Sequence, residues 1–297
     1  MSKFTELFLG GGGTILAPSL QTNFFTSRTW TAPQDGIVVI RAMGAGGGGA
    51  KGSSGSSTGG YSGSWGAKAL RVLKGTVVTV SIGAAGVGRT VSDGDGAAGG
   101  NTAVTVNGVT YTATGGPGGK QGATVALPDG PSPSSNWDFG AASVKPGWAP
   151  GNTTGGAGVD ILAQGGNATT SASTAASGGG GTGGPSVGNT GGGAFGTASA
   201  TGQPAASPGV SFDAGGGDWG ISFYGGSGST VNTGAGGNGG GGASAGGAGG
   251  NGGGGGGASG SYGGNGGIGG GGGAGNSEGG NGGQGYAHLK FYADMGI

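Results

Sequence analysis

The sequence predicts an all-β protein with no substantial α-helix: a small β-sandwich-like domain closed by the chain's last strand, plus a bundle of polyglycine-II helices. Three observations carry this expectation. Short β-rich runs punctuate residues 37–115. One further run, residues 286–292, stands alone far down the chain. Between 234 and 285, most non-glycine residues recur at every third position.

Residues 1–36 are poor in glycine apart from Gly10 to Gly13, carry Phe4, Phe8, Phe24, Phe25 and Trp30, and end on the turn signal Pro33-Gln34-Asp35-Gly36. They read either as an attachment segment or as a first strand and turn. Residues 37–43 form an apolar run broken only by Arg41, and residues 77–82 alternate with a period of two. Residues 102–114 read as a hairpin around Asn107-Gly108, because both turn positions require positive φ. Residues 286–292 place Ala287, Leu289 and Phe291 on one face. A lone strand satisfies neither its backbone groups nor its apolar face, so it must return to the sheet of residues 37–115. Residues 116–233 mix Pro/Ser/Trp-rich loops with short glycine runs and are left without assigned elements.

The region 234–285 has the unit X-Gly-Gly. Ser259, Tyr262, Asn265 and Ile268 share one phase, which Ala274 continues, and Glu278, Asn281 and Gln284 share another. A period of three fits neither an α-helix nor a strand. It fits an extended left-handed helix of three residues per turn. Such a helix makes no internal hydrogen bonds, and glycine lets neighbouring backbones come close enough to make them between helices. X then faces outward. Phase slips at 243–245, 258–261 and 276–278 are the expected turns. With the last helix running into the final strand, 276–277 should lie at the far end of the bundle and 258–261 near the sheets. Ordering glycine is entropically costly, so the bundle needs many interhelix bonds at about 0.5–1.5 kcal/mol net each. Unpaired groups at its edge are a liability like those of an edge strand, which points to an oligomer, expected as a homotrimer, or to a monomer docked on another protein.

Composition narrows the function. Of the 297 residues, 93 are glycine and 11 proline, with no Gly-X-Y period, which excludes a collagen triple helix. Charge is balanced at 11 basic and 11 acidic residues. No Lys or Arg lies between Lys145 and Lys290, so neither nucleic acid nor an anionic membrane is an expected partner. No cysteine is present, which removes disulfides and thiolate metal sites. The opening nine residues are too short an apolar run for a signal peptide, and Glu6 interrupts it. The single histidine, His288, sits in the last strand opposite the apolar face and reads as a polar strand residue rather than a base. Chance produces G-x-G-x-x-G in such a chain, and Asp93 and Asp95 read as turn residues. The expectation is a non-enzyme with no cofactor and no metal.

Aromatic residues are the remaining binding candidates: Trp137, Phe139 and Trp148 in a Pro/Ser-rich stretch, and Trp219 and Tyr224 beside Asp213 and Asp218. Exposed rings beside Asp or Asn suit stacking on sugars. The alternative for each is that it fills a core that glycine cannot supply.

Residues 30–33 (Trp-Thr-Ala-Pro), 36–49, 72–83 and 282–286 resemble the corresponding parts of glycine-rich domains in bacteriophage tail fibres. The triplets resemble the polyglycine-II sandwich of tail-fibre adhesins of T-even-type phages. The resemblance covers about residues 29–115 and 234–292. It implies a tail-tip receptor-binding protein, made in the host cytoplasm and carried at the distal tail of the virion. It implies as partners a bacterial surface polysaccharide or surface protein and other phage tail proteins. The X-Gly-Gly pattern is also similar to that of springtail antifreeze proteins, which implies ice binding, although those are mostly triplets and commonly disulfide-linked. A purely structural fibre or linker is the third reading.

Overall fold

The computed structural model describes residues 19–52, 57–122, 127–146, 155–158, 247–256 and 262–294. Among the described residues the fold is all-β, without a helix. Its strands are β1 (Leu20–Phe24), β2 (Arg28–Thr31), β3 (Gly36–Met43), β4 (Trp65–Val72), β5 (Val77–Ser81), β6 (Thr102–Val106), β7 (Val109–Ala113), β8 (Phe139–Ala141) and β9 (Tyr286–Ala293). They form two antiparallel sheets, of order β1-β9-β3-β4-β8 and β2-β5-β6-β7.

Strand alternation explains the core. Val38, Ile40 and Ala42 of β3 lie opposite Phe291, Leu289 and Ala287 of β9. These side chains share one buried cluster with Val78 and Val80 of β5, Val104 and Val106 of β6, and Tyr111 and Ala113 of β7. β9 lies between β3 and β1. Asn107, with φ 50°, and Gly108, with φ 76°, make the two-residue turn between β6 and β7. Within the first segment, residues 20–24 and 28–31 are strands, and residues 1–18 lie outside the described residues. β1 belongs to one sheet and β2 to the other.

On the opposite side, residues 131–141 run from the exposed edge of β7 to β8. The Ser134 N–H donates to Thr112 O at 2.9 Å, and the Asn136 amide donates to Thr110 O at 2.9 Å. The otherwise unpaired edge of β7 is thereby covered.

The strands continue into glycine segments at one common end of the sheets. β3 runs on into 44–52, β5 into 83–89 and β7 into 114–121; segments 57–64, 94–101 and 279–285 lead into β4, β6 and β9. Segment 44–52 lies at their centre. Gly44, Gly47 and Ala50 donate to Ser64, Tyr61 and Thr58; Ala45, Gly48 and Lys51 to Gly100, Ala97 and Gly94; Gly46 and Gly49 to Gly283 and Gly280. Its carbonyls accept with the same rhythm. Ala45 and Gly48 accept from Gly116 and Gly119, Gly46 and Gly49 from Gly86 and Arg89, Gly47 and Ala50 from Gly272 and Gly275. Consecutive residues thus address three donors' targets in turn, repeat every third residue, and bond to six surrounding segments.

Segment 270–275 is a second such centre. It is bonded to 44–52, 57–64, 155–158, 253–256, 262–267 and 279–285. Both centres are buried along their glycine runs. Around them the segments expose every third residue, as at Asp95, Ala98 and Asn101, or at Asn281 and Gln284. Uninterrupted glycine therefore marks the interior and X-Gly-Gly the periphery. At the periphery asparagine replaces a missing neighbour. Asn281 Oδ1 accepts from Gly88 N–H at 2.8 Å, Asn265 Oδ1 from Asn281 N–H at 2.8 Å, and Asn101 Oδ1 from Gly115 N–H at 2.9 Å.

One expectation changes. The bundle is not confined to 234–285, because residues 44–52, 57–64, 83–89, 94–101 and 114–121 belong to it. A turn near the sheets, which the triplet phase did not announce, falls at Ile268-Gly269; the turns expected at 243–245 and 258–261 lie outside the described residues. Gly270 N–H bonds back to Gly267 O, and Gly269 has φ 72°, the sign that a type II turn requires at its third residue. Segment 262–268 consequently runs toward the sheets, parallel to 279–285, and Tyr262 lies at the far end.

Candidate functional site

Segments 44–52, 57–64, 83–89, 94–101, 114–121 and 279–285 each have one end on a strand, so their other ends gather at the opposite end of the bundle. Among the described residues it comprises 89–95, 120–122, 275–278 and Tyr262. Side chains hold these turns by their backbones. Lys51 Nζ donates to Thr90 O at 3.2 Å and Val91 O at 3.0 Å. Arg89 donates through Nε to Ser92 O and through Nη2 to Ser92 Oγ. Asp95 accepts from Lys120 Nζ at 2.7 Å and from the Gln121 N–H at 2.9 Å. Partial burial pulls the Asp95 carboxyl upward, but the Lys120 bond, the Gln121 bond and the Lys120 charge outweigh it and hold it below the usual carboxylate range.

With the polar groups engaged, this end offers solvent its apolar tips. Val91 is 76 % exposed and Tyr262 61 % exposed; Val87, also 61 % exposed, lies on the side of the bundle, midway along segment 83–89. Lys51 pairs with Gly94 and Gly275, and Tyr262 with Glu278, so these tips belong to turns on adjoining segments. The surface is fixed in backbone, mixed in polarity and suited to contact. Among the described residues no three His, Cys, Asp or Glu side chains cluster as a metal site would require.

The aromatic candidates fall elsewhere. Trp137 is only 9 % exposed and belongs to the buried cluster to which both sheets contribute. Its ring lies 5.4 Å from that of Tyr111, and its Nε1–H donates to Thr112 O at 2.9 Å. It also fills the space over Gly66, where a Cβ would collide with the indole. Trp137 is thus corrected from a rim residue to a core residue. Phe139 is 47 % exposed but sits on edge strand β8, beside the sheets and away from the turns at the far end. Trp148, Trp219 and Tyr224 lie outside the described residues.

His288 is 1 % exposed, within β9 and opposite Arg41. Tyr61 is buried at a third-residue position of segment 57–64, and its hydroxyl donates to Pro128 O at 2.8 Å. Burial and the Asp129 charge push its pKa up to about 12. Sequence reasoning passed over Val91, which looks like an ordinary strand residue. The signal that could have found it is its place at the end of a glycine segment leaving β5.

No known protein family matches this sequence, and no curated protein is detectably similar to it.

Proposed function

We propose that the glycine segments are polyglycine-II helices and that the chain is a phage tail-tip adhesin. The observation that carries the reading is the threefold cycle of hydrogen bonds about segments 44–52 and 270–275. Three residues per turn with bonds to surrounding chains is what a bundle of extended helices requires of its backbone. Such helices rise roughly 3.1 Å per residue, so the eight residues from Gly44 to Lys51 hold the far turns about 25 Å from the sheets. A stiff scaffold with short turns at its far end is the usual arrangement of a binding protein. The sheets, packed as a small sandwich, are its base.

In this reading the protein is not an enzyme, uses no cofactor, and acts at the distal tail of the virion. Its ligand is a bacterial surface polysaccharide or surface protein, and it assembles as a homotrimer with other tail proteins. The receptor contacts are the far turns, with Val91 and Tyr262 as anchors, in place of Trp137. The test is binding of labelled protein to bacterial strains that differ in surface polysaccharide and outer-membrane proteins. Selective binding that a Val91→Asp/Tyr262→Ala variant loses while remaining folded is the expected result. Absence of binding to every strain, or binding unaffected by the variant, overturns it.

One observation favours ice binding as a second reading. Thr29, Thr79, Thr105 and Thr110 lie directly opposite one another across β2, β5, β6 and β7, on the face turned away from the core. Neighbouring strands lie about 4.8 Å apart, so their methyl and hydroxyl groups form a regular rank. Inhibition of ice recrystallisation that Thr79→Lys abolishes would select this reading over the adhesin.

A further inference from the structure

Asparagine followed by glycine is the sequence most prone to deamidation, because glycine leaves the attacking backbone nitrogen unhindered. The chain holds such pairs at 107, 238, 251, 265 and 281. The pairs at 107, 251, 265 and 281 are among the described residues, and the fold treats them unequally.

In the bundle the nucleophile is already engaged. Gly252 N–H donates to Ile268 O at 3.0 Å, Gly266 N–H to Asn281 O at 2.8 Å, and Gly282 N–H to Gly86 O at 2.8 Å. The electrophile is held as well at two of these pairs, since the amide oxygens of Asn265 and Asn281 each accept a backbone hydrogen bond. Reaction there requires pulling a helix out of its lattice. At the hairpin turn, Asn107 and Gly108 are both exposed, and the Gly108 N–H has no hydrogen-bond partner among the described residues. A Cβ at Gly108 would meet nothing within 4 Å. Rotation about Asn107 toward the reactive geometry disturbs only the tip of the hairpin.

We propose that Asn107 is the deamidation site of the folded protein and that the glycine bundle shields its own Asn-Gly pairs. In the reaction the deprotonated Gly108 nitrogen attacks Asn107 Cγ. The C–N bond to the side-chain amide breaks and ammonia leaves, giving a five-membered succinimide. Water then adds to either imide carbonyl and yields aspartate or isoaspartate, with no change in oxidation state. Either product places a new carboxylate at the end of the sheets remote from the bundle. Isoaspartate also lengthens the backbone within a turn that admits two residues.

The test is peptide mapping by mass spectrometry of the full chain aged in mildly alkaline buffer, folded and in denaturant. In the denatured chain the four pairs should react at comparable rates. In the folded protein, conversion at Asn107 should exceed that at Asn251, Asn265 and Asn281 at least roughly tenfold, the factor one broken backbone bond is worth. Asn107→Asp, which keeps a turn-forming residue, should abolish the main folded-state conversion without redirecting it to the bundle. Comparable conversion at Asn265 or Asn281 in the folded protein overturns the proposal. So does an Asn107 that reacts only in denaturant.

Discussion

Substituting Gly49 by alanine tests whether backbone contact holds the bundle together. Gly49 lies mid-run in the central segment, where its N–H donates to Gly280 O at 2.8 Å and its carbonyl accepts from Arg89 N–H at 3.1 Å. An added Cβ would drive into the Gly273 carbonyl. Relief means separating segment 44–52 from 270–275, which are joined by Gly272 N–H to Gly47 O at 2.9 Å, Gly275 N–H to Ala50 O at 3.1 Å and Gly52 N–H to Gly275 O at 3.3 Å. Each buried group left without a partner costs about 1–3 kcal/mol, so orphaning the Gly272 and Gly275 N–H groups alone destabilises by about 2–6 kcal/mol. That is a large share of the roughly 5–15 kcal/mol that holds a typical domain together. The control is Ala84→Thr at an exposed third-residue position, expected to stay within about 0.5 kcal/mol. Urea unfolding reads the difference as a shift in midpoint, and amide exchange should show Gly272 and Gly275 losing protection. If Gly49→Ala moves the midpoint no further than the control, close backbone packing is not what stabilises the bundle.

Trp137→Ala removes a ring from the buried cluster to which both sheets contribute and a hydrogen bond to Thr112, and should cost about 3–5 kcal/mol in the same unfolding assay, whereas a rim residue would cost almost nothing. Tyr61 carries a pKa raised above that of the unfolded chain, so its contribution to stability is complete below pH about 10 and is lost as pH rises toward about 12. Tyr61→Phe should flatten the alkaline arm of the stability profile and delete the latest-titrating tyrosine from an absorbance titration. Asn281→Ala strips the acceptor from the Gly88 N–H at the bundle surface and should destabilise by about 1 kcal/mol, with light scattering showing increased self-association from the freed edge.

Local rules made the strands legible. Alternation in 286–292 and the Asn-Gly turn at 107–108 are short-range signals, and β9 and the β6–β7 hairpin follow them. The triplet period likewise announced which residues of 278–285 face outward. Two features were hidden for physical reasons. The turn at Ile268-Gly269 consumes residues without shifting the phase from Tyr262 to Ala274, and within a glycine run a type II turn leaves no mark in the sequence. The second is that the run Gly46 to Gly49 was not assigned to the bundle, because a segment bonded on all sides has no outward position and so carries no periodic X. Trp137 was misread because its Pro/Ser-rich surroundings resemble an exposed loop. Only the topology shows that this loop closes the gap between β7 and β8.

The same topology bears on assembly. The reason for expecting threefold association was the unpaired backbone at the bundle's edge. Asparagine side chains engage three of those donors, at Gly88, Gly115 and Asn281, and residues 131–137 cover the edge of β7. Backbone pairing is therefore a weaker drive toward a trimer than composition alone implied. What the described surface still offers a partner is side-chain contact, including the apolar tips Val91 and Tyr262 at the far end and Leu73 and Val77 at the base. These lie at opposite ends of the described structure; under the adhesin reading proposed above, the base would attach to the tail and the tip would meet the receptor. A homotrimer in this protein would have to bury one of these ends or the sides between them. A trimer that buried the far turns would leave the adhesin reading without its contact surface.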